Sequence, residues 1–146
     1  MTTISDFLIP DHKRCDSLFA ATESVVSQGE WDDAQAAYSL FKQALQHHFA
    51  MEEEILFPAF EERTGMRQGP TSVMRSEHSQ MNQLLSQMFG ALARKDANAY
   101  LGDADTLLIV MQQHNIKEEQ MLYQMADQAL VSERDALLER MRALGY

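Results

Sequence analysis

The chain has 146 residues, 45% hydrophobic and 23% charged, which suits one domain with a substantial core. Its formal net charge of -10 argues against a nucleic-acid groove or an anionic membrane surface as partner. A single cysteine, Cys15, excludes an intramolecular disulfide and a cysteine zinc cluster, and makes a reducing, cytoplasmic setting the expectation.

The first 13 residues lack the basic and apolar regions of a signal peptide, and no apolar run nears the roughly 18 residues of a membrane span. Gly and Pro are scarce and fall at punctuation points, while the segments between them carry a helical period with little alternation. The first helix is expected at about 11–28, with His12, Cys15, Phe19 and Val26 on its apolar stripe. The second runs over about 31–64, with Pro58 bending or disturbing it. Its stripe reads Ala34, Tyr38, Phe41, Leu45, His48, Glu52, Ile55 and Ala59. After the loop from Gly65 to Pro70, a third helix at about 71–94 carries Met74, His78, Met81, Leu85, Met88 and Leu92. The fourth, about 98–129, carries Leu101, Leu108, Met111, His114, Glu118, Met121 and Met125. A short fifth helix at about 132–144 follows, with Ser132 as its expected N-cap. These elements predict an all-α fold, an antiparallel up-down four-helix bundle with a short C-terminal helix, in a single domain over 1–146.

Each stripe that should be oily is interrupted by titratable residues. An internal repeat with an offset of 66 residues ties them together. Asp11-His12 is echoed by Glu77-His78, and His48-Phe49-Ala50-Met51-Glu52 by His114-Asn115-Ile116-Lys117-Glu118. His12 to His48 and His78 to His114 both span 36 residues. Residues i and i+4 differ by about 40° around a helix, so His48 projects with Glu52 and His114 with Glu118. One histidine from each remaining helix brings six donors to one level of the core: His12, His48, Glu52, His78, His114 and Glu118. A cation relieves the cost of burying their carboxylates. Mixed imidazole and carboxylate donors suit iron, manganese or zinc, and carboxylates able to bridge make a two-metal centre natural.

With His48-Phe49-Ala50-Met51-Glu52-Glu53-Glu54-Ile55-Leu56-Phe57-Pro58 and its second copy from His114 to Glu119, the chain resembles the hemerythrin-like family, the HHE cation-binding domain. The resemblance covers nearly the whole chain. It implies that the four histidines are terminal ligands and that Glu52 and Glu118 bridge two non-haem irons in an oxo- or hydroxo-bridged centre. Oxygen, nitric oxide or a peroxide would then be the small ligand. Oxygen-carrying members have a further histidine where Asn82 stands, so the implied role is closer to members linked to nitric-oxide stress, iron-centre repair or iron sensing. Iron storage or donation and a small di-iron oxidoreductase are the alternatives. A homodimer and an electron donor are open expectations.

The other polar residues have plainer readings. Glu53, Glu54, Glu61 and Glu119 are expected in solvent, and so is His47, about 100° from His48. Asp11 and Glu77 read either as partners of the ligand histidines or as helix N-terminal charge. Asp16 reads as an oxygen ligand or a hydrogen-bond partner of one. Cys15 and the stripe methionines read as packing. Tyr38 and Tyr123 are within reach of the site, with a structural role as the default.

Overall fold

The structure, a computed structural model, describes residues 1–145, and these form helices with no strand among them. The elements are α1 (Ile4–Ser27), α2 (Trp31–Ala50), π1 (Met51–Leu56), α3 (Phe57–Thr64), α4 (Pro70–Ala93), α5 (Ala97–Lys117), π2 (Glu118–Leu122), α6 (Tyr123–Ala129) and α7 (Arg134–Ala143). The backbone stays helical through both π turns, so α2–π1–α3 and α5–π2–α6 are continuous rods. With α1 and α4 they make the four rods of the expected bundle. α1 packs on α2 and α5, and α4 packs on the same two. Among the described residues no helix is long and apolar enough to cross a membrane.

The 66-residue repeat is structural. Ile4 and Pro70, which open α1 and α4, are 66 residues apart, as are Glu52 and Glu118 within the two π turns. Even the turns correspond: Gly29 has φ of 72° and Lys95, its counterpart, φ of 55°. The left-handed turn is cheap for glycine and costly for lysine.

Two expected boundaries are corrected, the start of α1 and the cap of α7, while α5 begins where expected. α1 begins seven residues before Asp11, because Thr3 and Asp6 form a capping box: Asp6 N–H donates to Thr3 Oγ1 at 3.0 Å and Thr3 N–H to Asp6 Oδ2 at 3.1 Å. Pro10 lies inside α1 on its exposed side, where a missing N–H is tolerated more easily. α5 is capped by Asp96, which accepts from Ala99 N–H. Ser132 does not cap α7; the cap position is Glu133, without a side-chain bond.

Pro58 does follow a disturbed stretch, π1, yet proline is not its cause. Gln124 holds the matching place in the second copy, and π2 forms there without it. Each π turn inserts one extra residue into the helical count, so faces beyond it shift. Met121, expected inside, is 53% exposed, while Leu122 and Tyr123 are buried. On α5 the buried face is Tyr100, Ala104, Leu107 and Met111, with Leu101 and Leu108 only half-buried.

Apolar side chains form two clusters. One holds Phe19, Phe41, Leu45, Met81, Leu85 and Met111. The other holds Ile4, Leu8, Leu56, Phe57 and Phe60 with Leu137, Leu138 and Met141 of α7. The interrupting histidines lie between the two, so a polar layer is enclosed by oil on both sides.

Candidate metal centre

The structure brings all six expected donors together. His12, His48, His78 and His114 are at most 3% exposed, and Glu52 and Glu118 are 0% exposed. Their donor atoms fall into two sets, each lying within 4.8 Å of one another. His12, His48, Glu52 and Glu118 make the first, and Glu52, His78, His114 and Glu118 the second. Both carboxylates belong to both sets.

Each imidazole is held from behind. His48 Nδ1 lies 2.8 Å from Asp11 Oδ2, and His114 Nδ1 2.8 Å from Glu77 Oε1. His12 Nδ1 lies 2.7 Å from Glu119 Oε2, and His78 Nδ1 2.6 Å from Glu53 Oε2. Donation from Nδ1–H to a carboxylate leaves Nε2 as the inward atom with a free lone pair, the arrangement that orients an imidazole ligand. Asp11 and Glu77 are thus partners of the site histidines.

Glu53 and Glu119, expected in solvent, are corrected to the same role. Each follows an inward glutamate by one residue on a different side of the rod, where the neighbouring helix's histidine meets it. The repeat was the available signal, since Glu53 and Glu119 correspond. His47 is half-buried, with Nε2 2.9 Å from the Leu144 carbonyl. Asp16 belongs to neither set and accepts from Gln112 Nε2 at 3.2 Å. Asn82 accepts from Gln46 Nε2 at 2.6 Å, the matching bond in the repeat. Tyr38 donates to the Leu85 carbonyl at 2.7 Å.

The charge inventory calls for cations. Six carboxylates (Asp11, Glu52, Glu53, Glu77, Glu118 and Glu119) surround four imidazoles. Arg14 and Lys117 offset Asp11 and Glu77 at the edge. Without metal the layer reaches neutrality only by taking up protons, on imidazoles or on carboxylates. Burial alone would lower the His78 ring, but the carboxylates of Glu52 and Glu53 raise it to about 9. His48 is raised well above the usual imidazole value, against its burial, by Glu52 and Asp11. Glu118 is held well below the carboxylate range, where contacts with Glu52, His114 and His12 outweigh burial.

The bonding inventory agrees. Glu52 Oε1, Glu118 Oε2, His78 Nε2 and His114 Nε2 are buried with no hydrogen-bond partner among the described residues. His78 Nε2 and Glu52 Oε1 are 3.0 Å apart yet not aligned to bond each other. Atoms that crowd together without pairing suit a common cation between them. The donor set therefore fits a metal.

The hemerythrin HHE cation-binding domain matches this chain over residues 3–126. The chain belongs to that family.

As a hemerythrin-family protein it is 28% identical over 122 residues to an uncharacterized hemerythrin-like protein of Schizosaccharomyces pombe. That match takes in 82% of this chain and 57% of the relative, so the chain spans little more than half the relative's length. No solved structure matches it. The family match runs from the first turn of α1 into α6 and leaves out α7.

Tyr123, expected within reach of the site but structural by default, touches it directly. Tyr123 Oη lies inside the first set, donating to Glu52 Oε2 at 2.6 Å, and also 3.0 Å from Glu118 Oε1. It is 3.1 Å from His12 Nε2 and 3.2 Å from His48 Nε2. In an uninterrupted helix Tyr123 would lie about 180° from His114; the π2 insertion turns it inward. Burial and the charges of Glu118 and Glu52 push its hydroxyl well above the usual phenol value.

Proposed function

We propose that this hemerythrin-family chain folds as one domain holding two non-haem iron ions, and that it binds, senses or handles oxygen, nitric oxide or peroxide. The observation that carries the reading is the sharing of Glu52 and Glu118 between two four-donor sets. Each set adds two histidines of its own. Carboxylates common to two sets suit a pair of ions rather than one, as in other carboxylate-bridged bundles. Imidazole and carboxylate donors suit iron, with manganese and zinc as competitors.

His12 and His48 would hold one ion and His78 and His114 the other, with Glu52 and Glu118 spanning both. An iron pair held there supplies a redox-active Lewis acid for a small oxygen- or nitrogen-containing ligand. Asp11, Glu53, Glu77 and Glu119 fix the four rings and their tautomers. The apolar clusters on either side exclude water. That exclusion favours small uncharged ligands over hydrated ions.

The test is metal content by plasma mass spectrometry on untagged protein purified without added metal or chelator. About two irons per chain are expected from the two shared donor sets, with a sharp fall in the Glu52→Ala, Glu118→Ala double variant. Little metal, and no uptake on anaerobic addition of ferrous iron, would sink the reading.

A further inference from the structure

The two donor sets are related by the repeat, yet a hydroxyl lies within the first of them alone among the described residues. Tyr123 corresponds to Phe57. The Tyr123 ring stacks on His12 at 5.6 Å and 22°, and the Phe57 ring stacks on His78 at 5.8 Å and 23°. The rings are placed alike, so the hydroxyl is the difference.

That hydroxyl touches one donor atom from every member of the first set, at 2.6 to 3.2 Å. A hydroxyl has one hydrogen and two lone pairs, so four polar neighbours exceed what hydrogen bonding can use. The spacing is that of a coordination shell. Donors each about 2.1 Å from an octahedral metal lie roughly 3 Å from their adjacent neighbours. The second set has no such atom, and the four unpartnered site atoms, His78 Nε2, His114 Nε2, Glu52 Oε1 and Glu118 Oε2, all come from its four residues.

We propose that Tyr123 is a fifth protein donor to the metal held by His12 and His48, bound as a phenolate, while Phe57 leaves the other metal one donor short, directing small ligands to the His78–His114 side. This rests on the two-metal reading above. On loading, the Tyr123 O–H bond breaks, its proton passes to solvent, and the oxygen's electron pair forms the bond to the metal. No electron is transferred.

The experiment loads the full chain with ferric iron, counts the metal and records visible absorption and resonance Raman spectra. Two irons are expected, with a phenolate-to-iron charge-transfer band whose Raman modes shift when tyrosine is ring-deuterated. Tyr123→Phe should keep both irons and lose the band. Should that variant fail to load, Phe57→Tyr provides the second arm: the band should strengthen, and nitric oxide binding to the ferrous form should fall sharply from its level in the unsubstituted chain. Two irons with no phenolate band, a band that survives Tyr123→Phe, or undiminished nitric oxide binding in Phe57→Tyr would each overturn the proposal. Absence of iron altogether would instead remove the two-metal reading, and this one with it.

Discussion

His48 Nδ1 lies 2.8 Å from the Asp11 carboxylate, 37 residues away on the neighbouring helix. The bond fixes which ring nitrogen faces the core, and it recurs between His114 and Glu77. Burial would raise Asp11, but His48 and Arg14 bring it down to about 2, so the carboxylate stays charged at neutral pH.

Replacing that carboxylate should weaken metal binding without removing a ligand. Asp11→Ala is expected to lower iron affinity by about 10- to 100-fold, the usual cost of losing such a partner. Competition against a chromophoric chelator measures it. Unchanged affinity would show that helix charge is all Asp11 supplies.

Metal removal should destabilise the fold. The metal-free layer keeps buried donors without partners, and a ligand that binds only the folded chain adds about 3–4 kcal/mol at 100 to 1,000 times its Kd. For a chain of this size that is a Tm difference on the order of 10 °C. Calorimetry of loaded and chelator-treated protein reads it; coincident transitions would contradict the buried site.

The first turns of α1 should contribute to stability, because Ile4 and Leu8 are fully buried there. Leu8→Ala is expected to cost about 2–5 kcal/mol, as for other buried leucines. Denaturant unfolding of the metal-free protein checks this. A cost under 1 kcal/mol would mean that the helix effectively begins near Asp11, as its period alone suggests.

Cys15 should be inert in the folded chain. It is 2% exposed, and burial pushes its thiol up to about 11 from an ordinary value of 9.0. Between those values the unfolded chain loses the proton while the folded chain keeps it, so this contribution to stability falls as pH rises from 9 to about 11. Iodoacetamide at pH 8 should label Cys15 only after unfolding; rapid labelling of native protein would refute the burial.

The six-donor layer and the bundle were legible in the sequence because they obey a period. His48 with Glu52, and His114 with Glu118, share a face through i,i+4 geometry alone. The 66-residue repeat then supplied His12 and His78 without reference to tertiary contacts. What lies across a helix boundary was not legible. Glu53 and Glu119 point away from their own helix's stripe, and only the packing of α4 and α1 beside them turns that direction into a bond with His78 and His12.

Tyr123 was read as within reach, but its direct contact with the donors was hidden for a related reason. A 3.6-residue count carries it to the far side of its rod, and π2 brings it back. Local spacing thus determined the donor types, their number and their level in the core. The tertiary structure decided which carboxylate holds which ring, and that one of two equivalent donor sets has a hydroxyl within it. Period and capping are properties of neighbouring residues, whereas a contact between helices depends on how whole rods are placed and turned.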